Sequence, residues 1–115
     1  MVSFKKVFSF IPPEIASAFQ HARAKKYTHG LKLLESPLML PEGCPIPDHG
    51  KLLIVTPRAC GKAHERNRIK RQARAIFYEE KLYQKPMMWI LLVRKGATDL
   101  TFDQLKKFLC TGMKE

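Results

Sequence analysis

Acidic residues are scarce in this chain: ten Asp and Glu stand against 21 Lys and Arg over 115 residues, a formal net charge of +11. That imbalance excludes a surface neutralised by its own ion pairs. A compact fold carrying it repels itself unless an anionic partner offsets the charge, which narrows the partners to nucleic acid or an anionic membrane. Long apolar runs are also missing. The longest, Met87 to Val93, fits one strand and falls far short of the roughly 20 residues a spanning helix needs, so membrane is the weaker choice. Cysteine is sparse: Cys44, Cys60 and Cys110 are odd in number and widely spaced, which excludes a disulfide framework and a paired CxxC zinc site, and reads as reduced residues of a cytosolic protein. Lys5 and Lys6 before an apolar stretch mimic an export signal, but Pro12, Pro13 and Glu14 interrupt it, and no such signal is expected.

Catalytic constellations are absent as well. His64-Glu65 opens like an HExxH zinc helix, but Arg68 stands where the second imidazole belongs. Gly61-Lys62 ends like a phosphate-binding loop, yet Ala63 replaces the required Ser or Thr and no Gly sits five residues earlier. His21, His29, His49 and His64 lie apart without Cys or carboxylate at ligand spacing, and no two acids stand out as an acid/base couple. The expectation is a protein with no catalytic residue and no metal ligand of its own.

What is present is 45% hydrophobic content, with all three aromatic types. That suffices for one domain spanning residues 1–115 with a modest core. Pro12 and Pro13 suit a helix entrance, and Ile15, Ala18, Phe19 and Ala22 recur at helical spacing, predicting a first helix over residues 13–24. The basic run Arg23-Ala24-Lys25-Lys26-Tyr27 follows, and residues 31–34 open a first strand. Residues 36–50 hold Pro37, Pro41, Pro45 and Pro47 with Gly43 and Gly50, an extended connection in which Leu38-Met39-Leu40 either extends or replaces that strand. Leu52-Leu53-Ile54-Val55-Thr56, closed by Pro57, reads as a buried strand. A helix over residues 63–82, a central strand from Met88 to Val93 and a last helix complete the chain. The last helix has a written start: Thr101 as N-cap, Gln104 as its capping-box partner, Leu100 against Leu105 as a staple, and Leu105, Phe108 and Leu109 on its core face. The order helix, strand, strand, helix, strand, helix predicts an α+β sandwich, with residues 1–10 a candidate flexible N-terminus.

The helix beginning at Ala63 carries the most information. Taking Ile69 as zero at about 100° per residue, Ala73 and Ile76 fall within roughly 40° and Phe77 at about 80°, a buried face. Asn67, Arg71, Arg74 and Tyr78 fall opposite, with Arg68 beside them. Between Arg58 and Arg74 there are seven Lys or Arg (58, 62, 66, 68, 70, 71 and 74) and one acid, Glu65, so i,i+4 pairing cannot quiet the repulsion. Phosphates quiet it by releasing counterions. Guanidinium groups fork onto phosphate oxygens and stack on bases, and the Asn67 amide both donates and accepts. This face is built for a polyanion.

Arg66-Asn67-Arg68-Ile69-Lys70-Arg71, preceded by Gly61-x-Ala63 and followed by Arg74, resembles the signature of the bacterial ribonuclease P protein subunit. The resemblance spans about half the chain, residues 51–109. It implies a fold like the second domain of ribosomal protein S5: a mostly antiparallel sheet of about four strands, three helices and a left-handed βαβ crossover, against the usual preference. It implies a cytoplasmic ribonucleoprotein in which a catalytic RNA, holding Mg2+ with its substrate, cleaves the 5′ leader from precursor tRNA. Arg66, Asn67, Arg68, Lys70, Arg71 and Arg74 would then face the RNA subunit. Phe19, Arg58 and Lys62 would serve the leader, which in the family lies between the first helix and the sheet.

This chain departs from the family at four places. Ala59 stands where a second cation is usual, Ile15 where a second first-helix aromatic is common, Phe8-Ser9 or Ser9-Phe10 where an Arg-Leu pair precedes that helix, and the Pro-rich connection of residues 36–50 is longer than usual. Phe19 is open to two readings, core residue of the first helix or stacking platform for a base. The alternative function is a structural or ribosome-associated RNA-binding protein with no role in cleavage. A DNA-binding helix-turn-helix is disfavoured because no short helix with a Gly turn precedes the basic one.

Overall fold

A computed structural model of the chain describes residues 4–28, 30–37, 43 and 49–114. Two prolines at the helix entrance start α1 (Pro12–His21), and the Glu14 carboxylate accepts the Ile11 N–H at 2.9 Å to close its first turn. Four strands follow: β1 (Arg23–Thr28), β2 (Leu31–Pro37), β3 (Lys51–Val55) and β4 (Met87–Val93). α2 (Ala63–Glu79) joins β3 to β4, and α3 (Phe102–Lys114) closes the described chain. The sheet order is β1-β2-β4-β3, antiparallel except for the β3/β4 pair. This is the α+β arrangement expected, with a mixed sheet of four strands and three helices.

Side-chain alternation along β4 divides the core. Trp89, Leu91 and Val93 point to one face, where α2 contributes Ile69, Ala73, Ile76 and Phe77, and α3 contributes Leu105, Phe108, Leu109 and Met113. Met88 and Ile90 point to the other face, under Ala18 of α1. The four α2 residues placed on the buried face by helical phase are all buried in the structure. The α3 cap is also as expected: Thr101 N–H donates to Gln104 Oε1 at 2.9 Å, and Gln104 N–H donates to Thr101 Oγ1 at 3.2 Å.

Several boundaries differ from the sequence expectation. The first helix ends at His21, and the basic run after it is a strand, β1, so the strand at Leu31 is the second. β1 was hidden because it is an edge strand, exposed at five of its six positions, with a bulge between Ala24 and Lys26. Without an apolar face it carries no alternation signal. α2 stops at Glu79 rather than running to residue 82, because Lys81 adopts a left-handed conformation with φ 53°. Leu82 and Tyr83 are buried in a short 3-10 turn instead. α1 presents Glu14, Ser17 and Ala18 inward, so Phe19, placed by spacing on its apolar face, lies 49% exposed. From Phe4 onward the N-terminal segment is anchored, with Val7 fully buried. Leu38-Met39-Leu40 lies outside the described residues.

One buried polar contact fixes α1 on the sheet. Lys51 Nζ lies 3.0 Å from Glu14 Oε1 and 2.8 Å from Oε2, and donates to Ser9 O at 2.8 Å. The ammonium also sits 5.4 Å from the centre of the Phe10 ring. With Glu14 at 3% exposure and Lys51 at 9%, each charge depends on the other for its solvation.

Candidate nucleic-acid interface

α2 turns its inner face to the core, and this dictates what its outer face offers. Asn67, Arg71 and Arg74 are exposed and Lys70 is half-buried. These four line one open depression of about 320 Å³ together with the half-exposed ring of Phe4. No acid occurs between Arg66 and Arg74. The one acid of the first turn, Glu65, is engaged at the helix start, where its Oε1 accepts the Lys62 N–H at 3.0 Å. It therefore caps α2 instead of neutralising the stripe.

The structure separates the signature cations into two kinds. Arg71 and Arg74 make no hydrogen bond or ion pair among the described residues, although Arg74 rests 5.8 Å from the centre of the Phe8 ring, an attraction that restrains its guanidinium. Arg68 has a second task. Its Nη2 donates to the backbone oxygen of Thr98 at 2.6 Å, tying α2 to the turn that precedes α3. Arg66 is half-buried, and its enclosed Nε has no hydrogen-bond partner among the described residues.

The other group of candidate residues sits elsewhere. Phe19 is exposed on α1, while Arg58 and Lys62 are exposed on the connection between β3 and α2. The strand registers pair Tyr27 with Lys32, Lys32 with Leu92, and Leu92 with Val55, a row across all four strands. Lys32, Leu92 and Val55 are half-buried and Tyr27 is 63% exposed. By alternation this row lies on the sheet face that α1 packs against, at the end where the chain leaves β3 toward Arg58. The face here is a partly open shelf, apolar at Leu92 and Val55 and basic at Lys32.

Tyr27 was seen in the sequence only as part of a basic run; its position on the shelf comes from the sheet. The Lys32 ammonium lies 5.1 Å from its ring centre. A hydrogen bond to Lys32 holds the Tyr27 phenol below its usual pKa; desolvation opposes this, and the charges of Lys32 and Arg94 add to it. Phe4 was also missed, because nothing local signals that it meets Tyr78, its ring centre 5.2 Å away. Among the described residues, no group of three His, Cys, Asp or Glu is placed to hold a metal ion, and no helix is long and apolar enough to cross a membrane.

Comparison with known proteins adds to this geometry. The family model for Ribonuclease P matches residues 16–115. The chain is 44% identical over 61 residues to the ribonuclease P protein component of Onion yellows phytoplasma, covering 52% of this chain and 43% of that one. It is 47% identical over 49 residues to the corresponding protein of Bacillus velezensis, covering 43% and 42%. The matches thus span about half the length of these relatives or less. Among solved structures, the RNase P protein of Staphylococcus aureus superposes with a TM-score of 0.73 at 20% identity, covering 94% of this chain and 93% of that one. The RNase P protein of Thermotoga maritima gives 0.71 at 21%, covering 93% and 94%. At such identities these two establish the likeness of fold.

Proposed function

The chain belongs to the ribonuclease P protein family, and on that premise we propose that it is the protein subunit of a ribonuclease P that removes the 5′ leader from precursor tRNA. The observation that carries the reading is the acid-free stretch of α2 from Arg66 to Arg74, where Asn67, Lys70, Arg71 and Arg74 line one depression. Arg66 and Arg68 lie on the same helix. This face binds the RNA subunit by displacing counterions from its phosphates. The shelf between α1 and the sheet takes the leader, with Phe19 and Tyr27 as exposed rings on which bases stack, and Arg58, Lys62 and Lys32 as cations for the backbone.

Cleavage belongs to the RNA subunit, which with its substrate holds the Mg2+ ions. The protein's part is positional: by screening phosphate repulsion it lets the RNA fold, substrate docking and metal filling proceed at lower magnesium. The work takes place in the cytoplasm. The alternative, an RNA-binding protein without a role in cleavage, lacks a specific observation in its favour, since the exposed ring of Phe19 and the open sheet face at Lys32 and Leu92 go unused in that reading.

The test is reconstitution of the full chain with a bacterial ribonuclease P RNA transcript. Cleavage of precursor tRNA at a magnesium concentration where the RNA alone is inactive is expected. Absence of stimulation, with tight binding to ribosomal RNA in its place, would overturn the proposal.

A further inference from the structure

We propose that Phe4 and Asn67 form a nucleobase subsite at the edge of the α2 stripe, which takes one unpaired nucleotide of the partner RNA. The inference rests on the reading of α2 as an RNA-binding face and adds what that face selects. Cations alone bind phosphates without regard to base or pairing. Phe4 contributes nothing to phosphate binding, yet it lines the same depression as the cations and is 47% exposed.

Its position is fixed by packing. The Phe4 ring meets Phe8 at 4.9 Å between centroids with a 60° tilt, and Tyr78 at 5.2 Å with a 71° tilt. Both supports are themselves braced: Tyr78 stacks on Tyr83 at 5.4 Å, and Phe8 meets the buried Phe77 at 5.8 Å. The ring is therefore ordered before a ligand arrives, and stacking on it costs little further entropy.

The rest of the depression matches a nucleotide group by group. Asn67 both donates and accepts, as the edge of a base requires. Lys70, Arg71 and Arg74 supply charge for the phosphates on either side. A paired A-form stem hides its base faces, so the ligand that uses all five residues is a nucleotide splayed out of a bulge, loop or end. An acidic peptide would satisfy the cations but leave the phenyl ring and the amide without a matching surface.

The test measures affinity of the full chain for a bacterial ribonuclease P RNA transcript across a salt series, with folding checked by circular dichroism. Phe4→Leu keeps apolar packing but removes the π-face. It is expected to weaken binding about tenfold, equivalent to about 1.4 kcal/mol, with the salt slope unchanged. Phe4→Trp is expected to retain affinity and to lose emission on binding, while Trp89, fully buried, gives a constant background. Wild-type affinity in Phe4→Leu, or unchanged emission from Phe4→Trp, overturns the subsite. Arg71→Ala separates the two levels: a reduced slope there with no effect of Phe4→Leu removes the subsite and keeps the RNA-binding face, whereas an unchanged slope removes both.

Discussion

Replacing Lys51 with Met tests the contact that seats α1 on the sheet. The substitution keeps the apolar stem to within one atom and deletes the charge that reaches both Glu14 oxygens at 2.8 and 3.0 Å. The Glu14 carboxylate, 4% exposed at its side chain, then keeps the Ile11 N–H as its remaining hydrogen bond among the described residues. Removing one partner of a buried pair costs about 3–5 kcal/mol, because the other charge is left without solvation. Against the roughly 5–15 kcal/mol by which domains of this size are stable, that is a large share. At about 4 °C per kcal/mol it lowers the melting temperature by about 10–20 °C. Urea unfolding of the wild type, Lys51→Met, Glu14→Gln and the double variant gives the coupling directly. The double variant should recover much of the loss, since two neutral groups bury more easily than one lone charge. A loss under about 1 kcal/mol in Lys51→Met, with no coupling to Glu14, would show that water screens the pair and that α1 is held by Ala18 and its apolar neighbours alone.

Three further outcomes are expected. Arg71→Ala and Arg74→Ala should each weaken RNA-subunit affinity by about 1 kcal/mol and reduce the salt slope by about one, read from binding isotherms at several salt concentrations. Gly30→Ala should destabilise the fold by about 2–4 kcal/mol in urea, because φ is +75° and an added Cβ would collide with the backbone nitrogen of Ala97. The Tyr27 phenol should ionise below the ordinary value of 10.0, seen in an ultraviolet titration as an early tyrosinate step that Tyr27→Phe deletes and Lys32→Ala moves upward.

The legible parts of this protein are those written in local spacing. Ile69, Ala73, Ile76 and Phe77 repeat at helical phase, and that phase alone places Asn67, Arg71 and Arg74 opposite the core. Thr101 and Gln104 sit three apart, so the start of α3 is set before any tertiary contact forms. β1 was illegible because pairing with β2, not side-chain burial, makes it a strand. Phe19 was open to two readings because Ile15, Ala18 and Phe19 share one arc of the helix, and the sequence does not say which part of that arc meets the sheet. The buried Glu14 decides it, turning the helix toward Lys51, 37 residues away, and leaving Phe19 outside.

By itself, then, the sequence determined the excess of positive charge, the helix that carries the basic stripe and the family signature. Charge balance and helical phase are properties of composition and order, independent of how distant segments meet. Only the tertiary structure decided the division of labour among the arginines, since Arg68 reaches Thr98, 30 residues on. It alone brought Phe4 against Tyr78 beside the stripe and set Tyr27 in a row with Lys32, Leu92 and Val55. These placements rest on sheet register and side-chain packing between segments far apart in the chain, and no local rule encodes such pairings.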